Sequence, residues 1–190
     1  MTSSPLIVPE SVRAYFADRT VEAGVDAILS ISPNKLPPGI SWAELPSYYR
    51  ARAAAETVRC DLVELMHIAW NQIWGMEIAA RWKREDIEDA VISIGECFND
   101  QYFRVDYEVA GRQLLTSVGL RDRHLVCAFS LEKGSRVFVK GDLGGFEWVD
   151  DKAWGGWMVS IPSLPMSGEL NLENLKGLAA SAVKLVQQMA

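Results

Sequence analysis

Near residue 100 the apolar residues of this chain change their spacing, and one kind of backbone cannot serve both spacings. Before that point they recur every three or four residues. After it, Phe103, Val105, Tyr107 and Val109 alternate with Tyr102, Arg104, Asp106 and Glu108, the period of a strand with one buried and one wet face. The chain is therefore expected to be α+β, with a helical N-terminal half containing a long central helix, an antiparallel β-meander of about four to five strands, and a C-terminal helix packed back. One domain over residues 1–190 is expected, made of a helical lobe at about 10–98 and the meander plus C-terminal helix at about 101–190.

In the helical half, a frayed start is expected to give way at Pro9-Glu10-Ser11 to a helix with Val12 and Phe16 one turn apart. A second helix near Thr20 to Ile31 must end before Pro33, because each proline in the Ser32 to Gly39 segment disfavours helix at the residue before it. The long helix then begins near Ser41 or Ser47, either of which is a suitable cap, and runs to about Trp82. Leu62, Met66, Ala69, Ile73, Met76 and Ala80 form one continuous apolar face along it. Val63, Ile68, Trp70, Trp74 and Ile78 lie off that face, so the helix is expected to be covered on several sides, a partner subunit among them. Arg84 to Phe98 reads as a further helix with an acidic first turn, Glu85, Asp86, Glu88 and Asp89, and a buried stripe of Ile87, Val91, Ile94 and Phe98.

Beyond Tyr102, strands are expected at Leu114 to Val118, Leu125 to Leu131 and Arg136 to Lys140, separated by short turn-like groups. Gly141 to Gly156 reads as irregular, and Trp157 to Ile161 as a last strand. Asn171 is placed to cap a closing helix whose stripe is Leu175, Leu178, Ala182, Leu185 and Met189.

Charge disfavours one class of function. Residues 1–100 hold nine Lys/Arg against fifteen Asp/Glu, and residues 101–190 hold ten of each, so the net charge of −6 resides in the helical half. Binding to a phosphate backbone depends on Lys and Arg displacing counterions, which disfavours nucleic acid as a partner. The apolar stretch from Leu62 to Trp82 is interrupted by Glu64, His67, Asn71, Gln72, Glu77 and Arg81, too many polar groups for a membrane span. With no export signal and the scattered cysteines Cys60, Cys97 and Cys127, a cytoplasmic protein with reduced thiols is expected.

No catalytic residue and no cofactor or metal site is assigned. The two histidines, His67 and His124, have no second ligand at zinc spacing, and no phosphate-binding or nucleophile-elbow motif occurs. A two-metal nuclease would need convergent carboxylates, for which Glu96, Asp106 and Glu108 could be assembled around the first strand, but the last two fall on its polar face, where solvated charge is expected anyway. Cys60 and His67 are seven residues apart on one helix, about 10 Å along it, too far for direct proton transfer.

Two sets of residues point to binding. In a meander, alternate turns share one end of the sheet, so Arg121, Arg123 and His124 are expected beside Lys140 and the Gly141 to Gly145 loop, a cradle for a phosphate or carboxylate. Trp148, Trp154 and Trp157 fall within ten residues among acids and glycines, suited either to sealing the core or to forming a recognition surface. With the acidic turn Glu85, Asp86, Glu88 and Asp89, they are the expected contacts for a protein partner, and the long helix is the expected homodimer seam. The leading expectation is a protein-binding or regulatory module, including an acidic inhibitor or immunity-type protein. The alternative is an enzyme or small-ligand binder recognising an anionic metabolite at the sheet end.

Overall fold

The computed structural model describes residues 5–81, 87–94, 102–109, 112–121, 124–131, 145, 147–150, 155–160 and 168–189. The architecture is α+β. A short strand β1 (Leu6–Ile7) leads into α1 (Glu10–Ala17), α2 (Arg19–Leu29) and the long α3 (Leu45–Trp70), which continues through a π turn (Asn71–Gly75) into α4 (Met76–Arg81). Strands β2 (Ile87–Ile94), β3 (Tyr102–Val109), β4 (Arg112–Arg121), β5 (His124–Leu131), β6 (Glu147–Asp150) and β7 (Gly155–Ser160) follow, then β8 (Glu169–Leu170) and the closing helix α5 (Glu173–Met189).

The main sheet has six antiparallel strands in the order β2-β3-β4-β5-β7-β6, and β1 pairs with β8 in a separate two-stranded sheet. The alternation that marks β3 is realised directly: Phe103, Val105 and Tyr107 are buried, and so are Thr116, Val118 and Leu120 on β4 and Leu125, Cys127 and Phe129 on β5. The long helix lies over this face. Trp70 Nε1 donates to Thr116 Oγ1 at 3.0 Å, Thr116 Oγ1 donates on to the Val105 carbonyl at 3.3 Å, and Trp74 Nε1 donates to the Ser117 carbonyl at 3.2 Å. Each tryptophan thus buries its ring while keeping its N–H paired. α5 joins the same core through Leu175, Ala179, Ala182, Val183 and Val186. Its first turn is capped as expected, Asn171 accepting from the Glu173 N–H at 3.0 Å.

Several expectations need correction. Residues 87–94 are a strand, not the middle of a helix. A bulge between Ile87 and Ala90 adds one residue, so Ile87 and Ile94, an odd number of positions apart, share one register parity, while Val91, the partner of Asp106, falls on the other. Past the bulge, Ala90, Ile92 and Ile94 are register partners of Tyr107, Val105 and Phe103. Glu88 and Asp89 consequently lie on an edge strand rather than at a helix dipole, while Glu85, Asp86 and the rest of the expected helix end lie outside the described residues.

The long helix carries a second correction. Met76 and Ala80 are exposed, whereas Trp74 and Ile78 are buried. The π turn inserts one extra residue, advancing the chain by about 100° around the axis and moving the buried set by one position. Neither Ser41 nor Ser47 caps α3, which starts with Glu44 at its N-cap and Pro46 in its first turn. Ser41 instead donates its N–H and hydroxyl to Glu44 Oε2, at 2.9 and 2.6 Å.

The start of the chain is tied down rather than frayed from residue 6 onward. Leu6 and Ile7 pair with Leu170 and Glu169, and the Val8 N–H donates to the Gly168 carbonyl at 2.9 Å. The segment read as irregular contains β6, paired with β7, and the strand expected at Arg136 to Lys140 lies outside the described residues.

Candidate interaction surface

One part of the molecule stands apart from the core. The buried residues of α3 begin at Ala55 and those that join the main core begin at Leu62, so its first ten residues, about 15 Å of helix, precede any burial. α2 and the 30–44 loop accompany that extension, and together they form a helical arm. Asp18 caps α2 by accepting from the Thr20 N–H at 2.7 Å, and Tyr15 of α1 donates to Asp26 at 2.8 Å. At the other end of α2, Arg52 of α3 donates to the Ile31 carbonyl at 2.8 Å and the Ile28 carbonyl at 3.5 Å, placing a cation at the negative end of the helix. The loop turns at Pro37 to Ile40, where the Ile40 N–H reaches the Pro37 carbonyl and Gly39 takes φ +80°.

These polar contacts tie α2 to α1 and α3. α2 is amphipathic, yet none of its residues is fully buried; Val25, Ile28 and Leu29 are half-buried. Trp42 is 89% exposed and Tyr49 58%, with Leu36 and Val21 also exposed. A tryptophan on a loop with no periodic apolar neighbours was the available sequence signal for this surface, and the expected site residues did not include it. The charges around it are mixed. Glu56 bridges Arg59 at 2.7 Å and Arg52 at 3.5 Å, while hydrogen bonds from Ser41 hold the Glu44 carboxyl below the usual carboxylate range.

At the sheet, Arg121 and His124 are register partners closing the β4–β5 hairpin, so these two expected anion-binding residues are adjacent; Arg123 and Lys140 lie outside the described residues. β6 runs parallel to β5 two strands away, about 10 Å across the sheet, and starts level with Ala128, four residues along β5 from His124. Gly145, just before it, takes φ +93° and lies where a Cβ would come within 2.7 Å of Leu178 of α5. Trp148 and Trp157 are register partners, and Trp157 also pairs with Phe129; Trp154 lies outside the described residues. Glu88 and Asp89 sit on β2 at the opposite edge, five strand spacings or about 24 Å from β6. Among the described residues, Glu88 and Asp89 therefore lie apart from Trp148 and Trp157 in the strand order.

Asp106 is gripped by Arg104 through two hydrogen bonds of 2.6 Å. Burial pushes the Cys127 thiol up to about 12, leaving it protonated at neutral pH, and Cys60 is exposed. Burial also raises Tyr107, beside Trp70, well above the usual phenol range. His67 is exposed and stacks on Phe103 with ring centroids 4.8 Å apart. Among the described residues, no group of three or more His, Cys, Asp or Glu side chains converges as metal ligands would. No helix among them is long and apolar enough to cross a membrane. Comparison with family models, curated proteins and solved structures gave no match.

Proposed function

We propose that the protein is a protein-binding or regulatory module whose helical arm engages a protein partner. The observation that carries this reading is the exposure of Trp42 and Tyr49, with Leu36 and Val21 of the same arm also exposed. Aromatic side chains of this kind dominate binding energy when a partner desolvates them, and fixing them costs little conformational entropy. The acid excess of the first hundred residues favours a basic partner, as an acidic inhibitor or immunity-type protein would require. The exposed Ile68 and Met76 on the long helix are the residues through which a homodimer would form.

The test is capture from the native host's lysate at low and high salt, with the Trp42→Ala/Tyr49→Ala variant alongside and the mass of the purified protein measured by light scattering. A stoichiometric partner that salt releases and the variant fails to retain supports the proposal. A partner held equally by the variant, or none at all with a monomeric mass, sinks it. The second reading, recognition of a small anion at the sheet end, is favoured by the adjacency of Arg121 and His124. It requires calorimetric binding of phosphate or a carboxylate that Arg121→Ala abolishes.

A further inference from the structure

The segment from Trp70 to Arg81 carries two overlapping apolar patterns, and the π turn decides which one is buried. Continued as an α-helix in phase with Leu62, Met66, Ala69 and Ile73, the chain would turn Met76 and Ala80 toward the core and Ile78 away from it, at 100° per residue. The structure does the reverse. The Met76 N–H donates to the Asn71 carbonyl, five residues back, and the extra residue brings Trp74 and Ile78 inward while Met76 is 64% exposed.

Two features mark this setting as specially accommodated. A Cβ on Gly75 would lie 2.6 Å from Asn71 Oδ1 and 3.0 Å from Trp70 Cζ3, so the turn closes on glycine alone without displacement. Gln72 Oε1 is buried with no hydrogen-bond partner among the described residues. A regular α-helix has neither the close approach at Gly75 nor the widened turn.

We infer that the Asn71–Gly75 turn is a register device, in which α4 exchanges between the observed setting and an α-helical one rotated by about 100° that buries Met76 and Ala80 and exposes Ile78. Trp74 and Ile78 bury more apolar surface than Met76 and Ala80, and Trp74 also bonds to Ser117, so the rotated setting is the minor one. A ligand that binds the minor setting more tightly would raise its population. The consequence is a change in the surface that α4 presents: Met76 in one setting, Ile78 in the other.

Thiol labelling of an Ile78→Cys variant, read by peptide mass spectrometry, tests this, with native Cys127 in β5 as the internal reference for global opening. Labelling at position 78 is expected to outpace labelling at Cys127. Adding Gly75→Ala, which crowds only the observed setting, raises the rate at position 78 about tenfold and leaves Cys127 unchanged. Deleting Gln72 instead removes the surplus residue, so that a regular α-helix keeps the observed burial; labelling at position 78 then falls toward the Cys127 rate. Rates at the two thiols that rise together, or a position-78 rate indifferent to Gly75→Ala, overturn the inference.

Discussion

Thr116 is the one buried polar residue among the described core positions, and it ties two layers together. Its hydroxyl accepts the Trp70 indole N–H and donates to Val105, so Thr116→Val keeps the shape while stranding a buried donor. A buried donor left unpaired costs about 1–3 kcal/mol, and urea denaturation followed by circular dichroism should show a loss in that range. Thr116→Ser retains the hydroxyl and should recover most of the hydrogen-bond contribution. A loss below about 0.5 kcal/mol for the valine variant would mean that the indole finds another acceptor. This pairing was not legible in the sequence, because Trp70 and Thr116 are 46 positions apart and only the sheet register sets Thr116 beneath the helix. The alternation of Phe103, Val105 and Tyr107 was legible, since burial on one face of a strand leaves a local trace in residue type.

At the scale of elements, legibility followed whether local spacing and final packing agree. The proline-rich loop, β3, β5 and α5 carry their own boundary residues, and each lies close to where spacing puts it. β2 and the end of the long helix do not, and for the same reason: one extra residue, a bulge in the first and a π turn in the second, shifts the phase of the apolar pattern. The expected site fared likewise. The hairpin residues Arg121 and His124 are neighbours because turn chemistry is local, whereas the separation of Glu88 and Asp89 from Trp148 depends on strand order, which no local pattern encodes. The arm raises the opposite matter, an element held by few contacts. Arg52, with a side chain 12% exposed, closes the end of α2 through the Ile28 and Ile31 carbonyls and also donates to the Tyr48 hydroxyl at 3.2 Å. Arg52→Met preserves the aliphatic stem but removes these bonds, at a cost of about 1.5–3 kcal/mol if charged hydrogen bonds keep their usual worth here. Hydrogen exchange should locate the damage. Amides of α2 are expected to lose protection while those of β3 and β4 do not, and loss spread evenly over the sheet would refute a local role.

At the scale of the whole molecule, the described chain is closed near its two ends. Leu6 and Val8 reach the core beside Leu170 and Leu172, α1 is bonded to α3 through Ser11 and Asp61, and α5 packs on the π turn and α4. The β1–β8 pairing is only two residues long, too short to stand as a sheet by itself, so the apolar side chains it delivers are what hold it. Replacing Leu6 and Val8 together with alanine removes buried methyl groups from both, at roughly 3–6 kcal/mol, a large share of the ~5–15 kcal/mol that typically separates folded from unfolded domains. If the helices and the sheet share one cooperative core, the double variant should unfold in a single transition at a lower denaturant midpoint. Protection of α5 amides should then fall in step with that of α1, although α5 lies more than 150 residues away in the chain. Were α5 to keep its protection while α1 lost its own, the N-terminal segment would be a detachable strap over an independently stable core, and residues 1–17 could be removed without unfolding the remainder.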